Sequence, residues 1–591
     1  MLKAANLIPK RRVVVASGVI IVLMVSLLIR FFSIQVYSYE KYNKKADVNR
    51  IRAISLNAPR GLILDRTGEI IVDNYPTYIL TGIPGEMEDK KQNFNIISKY
   101  TGFDTTVLKS NYEKYYRGRF LPVRLAKDLT FNQLSKIEEH KTDLTGINYS
   151  KLPERTYTPR VNASHLLGYV KEVDHALIKE LDEPEKYIYG DLVGWRGIEK
   201  VYEQSLRGEK GVNFIEVDAL GREIGESTSR NGEYPVPGNN LITSILLPLQ
   251  EMLENKMDDI NGVALVSNPK TGEILAFVSK PDYPPDLFTG ATTIDEWKKI
   301  ISNPNKPLLN RITHGLYPPG STLKMITAMT LLEKNKVSLT ETVECQGVYT
   351  LGNREFKCWK KGGHGKINLE EAITQSCNIF FYHVVQRLTV NEWAESCRLF
   401  GFGELTGIDL PSEAKGVVPT SEFFNKSYGR WGWSKGHLLN ISLGQGELIV
   451  TPIQMLKYIN LLATKGRTPI LHTIKNKKTK IDIIRYFSPQ TWKQMELYMR
   501  QVIVSPHGTG KRSDPHIPGL VIAGKTGTSQ NPHGNDDAWY VGYGKYKGEI
   551  ISVVILVEQG GHGGVAAAPI AASVFEFLFS SNQTMKLTFA Q

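Results

Sequence analysis

The sequence has little cysteine, no low-complexity tract and no internal repeat of the period that solenoid proteins show. Its 591 residues contain four cysteines, too few for the disulfide framework of a small secreted domain. The lack of repeats and biased tracts excludes solenoid, collagen-like and intrinsically disordered architectures. Because 41% of the residues are hydrophobic, a chain of this length can bury at least one large core, and we expect two or three domains.

The net charge of +12 is spread along the chain and accompanies no recognisable nucleic-acid-binding module. We therefore predict a solvated basic surface and no nucleic-acid partner. An anionic partner such as a lipid headgroup is compatible with the charge, but the charge alone is weak evidence for one.

Only one stretch is long and apolar enough to cross a membrane, and it lies near the N-terminus. Residues 13–29 are uncharged and continue past Arg30 to residue 36, about one bilayer thickness of helix. Four basic residues precede the stretch: Lys3, Lys10, Arg11 and Arg12. The positive-inside rule then predicts a cytoplasmic tail (1–12), a transmembrane anchor (13–36) and an extracytoplasmic body. A cleaved signal peptide is the alternative, but no small-x-small cleavage motif follows the run.

The rest of the chain divides at a proline- and glycine-rich break, Pro235-Val236-Pro237-Gly238. Residues 37–235 have the pattern of short strands and polar turns, with an inserted helical lobe at about 88–150. Residues 236–591 have strand patterns at both ends and helical patterns between them. This order predicts an α+β domain whose sheet is assembled from distant segments. Hairpins are predicted at 60–74, 262–279 and 538–558, and an alanine-rich helix at 566–579.

Ser321 and Lys324 form the first of three short motifs suited to acyl transfer. They lie one helical turn apart at the start of an apolar-periodic helix. Burial, nearby cations and the positive helix end can lower the pKa of a lysine there, so that neutral Lys324 could deprotonate Ser321. Ser-x-x-Lys alone is a weak signal, because a helix-capping serine gives the same pattern.

Two further motifs follow the first in the sequence. Ser376-Cys377-Asn378 comes directly after a helical stretch. Lys525-Thr526-Gly527-Thr528 ends an apolar strand in which glycines allow a ligand to approach the backbone closely. In order and spacing, the three motifs match the signature of active-serine penicillin-recognising enzymes.

On these motifs the sequence resembles the class B penicillin-binding proteins, which are monofunctional peptidoglycan D,D-transpeptidases. The resemblance covers nearly everything after the anchor and implies a transpeptidase domain, an antiparallel sheet with helices on both faces, on a β-rich pedestal of the dimerisation type. It also implies that the protein crosslinks peptidoglycan stem peptides through a serine acyl-enzyme, which β-lactams would form as mimics of D-alanyl-D-alanine. Further segments support it: 60–68, 197–208, 269–272, Asn310-Arg311, 443–447, Thr451-Pro452 and 539–542.

The resemblance implies a catalytic role for each of five side chains. Ser321 would attack the penultimate D-alanine carbonyl of a stem peptide, with Lys324 as its base. Ser376 would relay a proton to the leaving D-alanine, and Asn378 would hold the amide of the donor peptide. Lys525 would supply positive charge.

It also implies how the substrate is bound beside Gly527. The hydroxyls of Thr526 and Thr528 would face the terminal carboxylate of the substrate. The backbone N–H groups of Ser321 and Thr528 would form the oxyanion hole. No deacylating glutamate of the class A β-lactamase kind is evident, which favours slow hydrolysis of the acyl-enzyme.

Cys345, Cys358, His364 and Cys377 lie close together in the sequence and could bind a metal. Three thiolates and one imidazole suit a tetrahedral, structural Zn²⁺ site. A disulfide, which an oxidising compartment permits, and free thiols are the alternatives. Some elongation-type penicillin-binding proteins resemble this arrangement, which implies a zinc ion that ties residues 359–365 to the Ser-x-Asn loop and does no chemistry itself.

Several related protein classes share part of the pattern. A bifunctional enzyme would carry a glycosyltransferase signature, which 37–235 lacks; a β-lactam sensor would need more membrane spans; and a β-lactamase normally lacks the pedestal. A D,D-carboxypeptidase and a division-type class B enzyme share the motifs and stay open as alternatives.

Residues 359–365 and 529–534 resemble the elongation, cell-shape type. That likeness implies a SEDS-family glycan polymerase and other elongation-complex membrane proteins as partners, and an inner-membrane location with a periplasmic catalytic domain.

Overall fold

The computed structural model describes residues 10–42, 50–174, 176–218, 223–227, 230–289, 292–531 and 534–580. Residues 1–9 of the predicted cytoplasmic tail therefore lie outside the described residues. The same holds for Pro532 and His533, which belong to the second elongation-type segment.

The helices and strands follow one another along the whole described chain. The helices are α1 Lys10–Phe32, α2 Lys90–Thr101, α3 Thr105–Tyr115, α4 Phe131–Glu139, α5 Ser164–Leu167, α6 Gly197–Val201, α7 Glu203–Leu206, α8 Leu247–Lys256, α9 Ile294–Ile301, α10 Lys324–Glu333, α11 Leu369–Thr374, α12 Asn378–Val385, α13 Val390–Leu399, α14 Ser421–Tyr428, α15 Lys435–Ser442, α16 Pro452–Ala463, α17 Pro489–Val504, α18 Gly563–Ala566 and α19 Ala568–Phe579. The strands are β1 Ile51–Leu56, β2 Ile63–Leu64, β3 Ile70–Gly82, β4 Val123–Ala126, β5 Ile147–Tyr157, β6 Val170–Glu172, β7 Leu192–Gly194, β8 Gly211–Val217, β9 Glu223–Glu226, β10 Leu241–Ile242, β11 Gly262–Ser267, β12 Ile274–Lys280, β13 Val343–Cys345, β14 Val348–Leu351, β15 Arg354–Lys357, β16 Gly365–Ile367, β17 Arg467–Pro469, β18 Ile481–Ile483, β19 Val521–Ser529, β20 Asp537–Tyr546 and β21 Glu549–Val557.

The N-terminal helix continues through a short π-helical segment to Tyr37, giving a 28-residue helix, Lys10–Tyr37, whose side chains are not buried in the protein. By length and composition it could cross a membrane. It coincides with the predicted anchor.

The chain forms two compact units. The first comprises residues 1–59, 76–153 and 208–237, and the second comprises 60–75, 154–207 and 238–591. Two segments from the predicted pedestal therefore group with the C-terminal half. A single pedestal domain over residues 37–235 stays a prediction.

The first unit contains a small sheet and a helical lobe. The sheet has the antiparallel order β1-β8-β9. In the lobe, α2 begins after Asp89 and α4 after Thr130, and each of these side chains accepts a hydrogen bond from a backbone N–H of the first turn. The helices bury one face each in a common core that includes Phe94, Ile97 and Ile137. Helices α2 to α4 lie within the lobe that the sequence predicted at about 88–150.

The second unit is built on a five-stranded antiparallel sheet of order β12-β11-β21-β20-β19. Strands β11 and β12 are buried along their whole length, which explains their continuous apolar sequences. The predicted hairpins β11–β12 and β20–β21 are confirmed, as is the alanine-rich helix α19.

Helices cover both faces of this sheet. On one face, Nε1 of Trp539 in β20 donates a hydrogen bond to the Pro318 carbonyl at 3.1 Å, just before the predicted nucleophile. On the other face, Gly544 of the same strand lies against Phe575 in α19, where a Cβ would approach the ring to 3.0 Å. The predicted α+β arrangement, an antiparallel sheet with helices on both faces, is confirmed.

A buried ion-pair cluster holds the N-terminal segments of the second unit together. The carboxylate of Glu199 accepts hydrogen bonds from Arg60 and from Arg155, each at 2.6 Å, and all three side chains are buried. A buried charge is tolerated only when it is paired in this way. The two family-like segments, 60–68 and 197–208, contribute Arg60 and Glu199 to this cluster, which gives a structural reason for their sequences.

Candidate active site

The backbone around Ser321 is shaped by its contact with strand β19. Residues Gly320–Leu323 form a 3₁₀ turn that leads into α10 at Lys324, so the α-helix begins three residues later than the sequence predicted. Gly320 has φ of 58°, and a Cβ there would lie 2.8 Å from the carbonyl oxygen of Thr528. The first and third motifs therefore meet backbone to backbone. Ser321 itself is partly exposed.

Lys324 connects the first motif to the second. Its buried Nζ donates hydrogen bonds to the Ser376 carbonyl at 2.7 Å, to Asn378 Oδ1 at 2.8 Å and to Ser376 Oγ at 3.3 Å. Burial lowers the pKa of Lys324 to about 8, although electrostatic interactions with the nearby sulfur atoms of Cys377 and Cys358 oppose the shift. A substantial neutral fraction is thus available just above neutral pH.

The Ser-x-Asn loop is held in an unusual conformation between α11 and α12. Ser376 has φ of 57°, in the left-handed region that non-glycine residues rarely adopt. The N–H of Cys377 donates to the Ala372 carbonyl at 2.9 Å, and Asn378 Nδ2 donates to the Lys357 carbonyl at 3.3 Å. These contacts direct both polar side chains of the motif toward Lys324.

Lys525 lies on the face of β19 that carries the nucleophile turn. It pairs with Val541, is buried, and donates from Nζ to the Thr526 carbonyl at 2.9 Å. Burial and the positive charge of Lys324 lower its pKa well below the ordinary lysine value. Gly527 is needed beside it, because a Cβ there would come within 2.9 Å of the Thr322 methyl carbon.

The two threonines of the third motif lie on the opposite face of β19 from Lys525. Side chains alternate along a strand, so Thr526 and Thr528 point away from the face that carries Lys525. The Thr526 hydroxyl donates to the Thr509 hydroxyl at 2.7 Å. Thr509 was not identified from the sequence, which carries no local signal for it. The predicted contact of both threonines with a substrate carboxylate stays a prediction.

Gln445 is a second residue whose role the sequence did not predict, although it lies in the family-like segment 443–447. Its Nε2 donates to the Thr528 carbonyl at 3.1 Å, and its Oε1 accepts from the Gln530 N–H at 3.3 Å. The neighbouring Gly444 carbonyl accepts from the Gly320 N–H at 2.9 Å. This loop therefore fixes the nucleophile turn and the outer edge of β19 at the same time.

The four predicted metal ligands form one cluster. The ligand atoms of Cys345, Cys358, His364 and Cys377 all lie within 4.8 Å of one another. Nδ1 of His364 is 3.4 Å from the sulfur of Cys345 and 3.5 Å from that of Cys358. All four cysteines of the chain are described, and each is a free thiol rather than half of a disulfide.

The cluster has the dimensions and the chemistry of a metal site. Tetrahedral zinc with ordinary bond lengths would place sulfur and nitrogen ligands about 3.5 Å apart, close to the distances seen here. A hydrogen bond from the Cys377 thiol lowers the pKa of Cys358, so this sulfur is readily available as a thiolate. The residues could hold a metal ion next to the Ser-x-Asn loop, to which Cys377 belongs.

Two family models match most of the chain. A family model described as the penicillin binding protein transpeptidase domain matches residues 262–576, and one described as the penicillin-binding protein dimerisation domain matches residues 55–243. The peptidoglycan D,D-transpeptidase MrdA of Acinetobacter baumannii is 30% identical, over 96% of this chain and 87% of the relative.

Two solved structures are similar over most of the chain. The penicillin-binding protein PBP2 of Helicobacter pylori, in a complex with MreC, superposes with a TM-score of 0.80 at 29% identity, covering 89% of this chain and 99% of the other. A chain from a peptidoglycan synthase complex that coordinates polymerization and crosslinking superposes with a TM-score of 0.71 at 26% identity, covering 96% and 98%.

Proposed function

The chain belongs to the class B penicillin-binding proteins of the PBP2/MrdA type, and from this we propose that Ser321 carries the acyl transfer of an elongation-type peptidoglycan D,D-transpeptidase. The enzyme joins the stem peptides of neighbouring glycan strands. What supports the residue assignment is the contact of buried Lys324 with both polar residues of the Ser-x-Asn motif. Through this contact a candidate base, a candidate proton relay and an amide side chain could act together on one substrate.

Acylation follows from these positions. Neutral Lys324 takes the proton of the Ser321 hydroxyl while its oxygen attacks the penultimate D-alanine carbonyl. The backbone N–H groups of Ser321 and Thr528 stabilise the resulting oxyanion, which the close approach of Gly320 to Thr528 supports. Ser376 then passes a proton from Lys324 to the departing amine of the terminal D-alanine, which leaves the donor peptide esterified to Ser321.

Deacylation reverses the proton path with a different amine. The amino group of a second stem peptide attacks the ester and gives its proton through Ser376 to Lys324. Lys324 returns a proton to the released Ser321 oxygen. Binding of the anionic end of the donor peptide would favour the charged form of Lys525, whose pKa is lowered by burial and by Lys324. Asn378 holds the donor backbone in place during both steps.

We also propose that the Cys345, Cys358, His364 and Cys377 cluster holds a zinc ion. When bound, the ion supplies a structural crosslink and no acid–base chemistry. Cys377 lies between Ser376 and Asn378 in sequence, so a fixed Cys377 sulfur would restrict both neighbouring side chains. The strained backbone of Ser376 supports this role, because such a conformation persists only where the surroundings impose it.

The placement in the cell is proposed from the N-terminal helix and the relatives. Lys10, Arg11 and Arg12 at the start of the helix favour a cytoplasmic N-terminus, with the chain after the helix on the periplasmic side of the inner membrane. The similarity to a chain of a peptidoglycan synthase complex supports a SEDS-family glycan polymerase as partner. The similarity to a PBP2 in complex with MreC supports further elongation-complex partners.

Labelling with a fluorescent penicillin tests the proposed nucleophile. The full-length protein should be labelled covalently, and Ser321→Ala should lose labelling completely, whereas Ser302→Ala, on an exposed loop, should be labelled like the wild type. Labelling that persists in Ser321→Ala would refute the assignment. A crosslinking assay on lipid-linked glycan follows, and release of D-alanine without crosslinks would instead indicate a carboxypeptidase.

A further inference from the structure

A tight turn between α14 and α15 projects a tryptophan into solvent. Trp431 is 90% exposed, and the Arg430 guanidinium lies over its ring with Cζ 5.5 Å from the centroid. The turn is closed by a hydrogen bond from the Gly432 N–H to the Gly429 carbonyl at 3.1 Å. Gly429 has φ of 79°, and a Cβ on Gly432 would lie 1.9 Å from the Tyr428 carbonyl oxygen. Both glycines are therefore required to present Trp431 in this way.

The turn rests on a packed aromatic base. Trp433 stacks on Phe424 with centroids 5.3 Å apart, and its Nε1 donates to Asn425 Oδ1 at 2.7 Å. His437 contacts the rings of Phe424 and Tyr428. Trp431 is thus carried on an ordered support, which reduces the entropy that a ligand would lose in binding it.

The same turn is joined to the catalytic pocket. The Tyr428 hydroxyl donates to Glu447 Oε1 at 2.6 Å, two residues after Gln445, which holds the Thr528 carbonyl. On its other side, Gly436 at the start of α15 lies against Phe356 of β15, where a Cβ would be 3.3 Å from the ring. Strand β15 leads to Lys357, whose carbonyl accepts from Asn378. The turn therefore lies between two segments that contact catalytic residues.

A single exposed indole is common on a protein surface. This one differs because it is held on an ordered aromatic base between two segments that contact catalytic residues. The indole is 90% exposed with the guanidinium over its ring, and this flat apolar surface with a neighbouring hydrogen-bond donor matches a pyranose ring, which has an apolar face of C–H groups and polar substituents around its rim. A peptidoglycan stem peptide is attached to a chain of such rings.

We propose that Trp431 and Arg430 form a subsite that binds the glycan strand of the substrate while the stem peptide enters the pocket. This inference rests on the proposed function. It adds the glycan strand, to which the stem peptide is attached, as a part of the substrate that the protein binds. The Trp431 ring stacks on a hexosamine, and Arg430 hydrogen-bonds to an N-acetyl or carboxylate oxygen of the same strand.

The test measures binding of isolated, peptide-free glycan strands by calorimetry, with full-length protein in the Ser321→Ala background so that no turnover occurs. Trp431→Ala should raise the Kd about tenfold, as expected for an exposed aromatic anchor. Trp431→Phe should retain most of the affinity. Trp297→Ala, at a tryptophan that is 44% exposed elsewhere in the same unit, is the matched control and should leave the Kd unchanged.

An unchanged Kd in Trp431→Ala, or no binding of peptide-free strands by the parent protein, would overturn the subsite. Penicillin labelling of Trp431→Ala with Ser321 intact should match the wild type, which shows that the variant folds. The binding measurement does not involve acylation. Failure of the proposed function would appear instead as normal labelling of Ser321→Ala, so the two results are distinguishable.

Discussion

Lys324 is buried with neutral oxygen atoms as its described hydrogen-bond acceptors, two from Ser376 and one from Asn378. Removing an ammonium group from water without a carboxylate partner favours its neutral form. The lowered pKa, whose main cause is burial, supports Lys324 as the proposed base. The i, i+3 spacing of Ser321 and Lys324 in the sequence singled out the same lysine as the candidate.

The rate of β-lactam acylation should therefore depend on pH. Because the pKa of Lys324 is lowered to about 8, the neutral base is scarce at pH 6.5 and predominates above pH 8. We expect the second-order acylation rate constant to rise between pH 6.5 and 9 with a midpoint near 8. Stopped-flow labelling with a fluorescent penicillin measures it. A flat profile, or a midpoint near the ordinary lysine value of 10.5, would contradict the assignment.

The sequence indicated some residues of the candidate site but not others. The motif residues could be proposed because three short motifs occur in the order and spacing that active-serine penicillin-recognising enzymes show. Gln445 and Thr509 were not, since each acts through a contact with β19, which is distant in sequence: Gln445 with the Thr528 carbonyl and Thr509 with the Thr526 hydroxyl. A role that depends on such a contact leaves no pattern in the neighbouring residues.

Among the elements, the hairpins were the most predictable part of the fold. Strands β11 and β12 surround a Pro-Lys-Thr-Gly turn, and β20 and β21 have alternating or apolar patterns with a polar turn between them. The 3₁₀ turn at Gly320–Leu323 was predicted as α-helix, because its tighter winding is set by contacts of Gly320 with Gly444 and Thr528 rather than by local propensity.

The Cys–His cluster connects several short elements that have little core of their own. Cys345 ends β13, His364 precedes β16, Cys358 follows β15, and Cys377 precedes α12. Strands β13 and β16 form one two-stranded sheet and β14 and β15 another. Two-stranded ribbons are marginally stable by themselves, so a shared metal would stabilise this region markedly.

Purified protein should contain about one equivalent of zinc, and Cys345→Ala should lose it. We expect the acylation rate to fall about tenfold in that variant, because the Ser376–Asn378 loop loses its crosslink. Elemental analysis and penicillin labelling provide the two measurements. Cys397→Ala is the control, since Cys397 is a buried free thiol outside the cluster. Wild-type protein with under about a tenth of an equivalent and full penicillin binding would exclude the site.

At the scale of the molecule, the transpeptidase core includes residues from well before the proline- and glycine-rich break. Ile63, Val72, Tyr157, Leu166 and Ile198 are buried in the same hydrophobic cluster as the central sheet. The sequence suggested a boundary near residue 236 because local composition changes there. Composition along the chain could not indicate that 60–75 and 154–207 return to pack with the C-terminal half.

A chain that begins at residue 236 should consequently be unstable. It loses the buried side chains of these two segments, each contributing about 1.5 to 3 kcal/mol. We expect its Tm to lie about 10 °C or more below that of a chain spanning 50–580, or the fragment to be insoluble. Differential scanning fluorimetry and penicillin labelling compare the two. Equal Tm values with equal labelling would show that residues 236–580 fold without the earlier segments.

The position of β11 in the sheet has a consequence for biosynthesis. Its neighbours are β12, which follows at once, and β21, which is made about 290 residues later. At about 5 to 20 residues per second, the ribosome needs roughly 15 to 60 s to supply that partner. During this interval a mostly apolar hairpin has an unpaired edge that invites aggregation. We therefore expect the nascent protein to need protection by chaperones to a degree that the stability of the finished enzyme does not indicate.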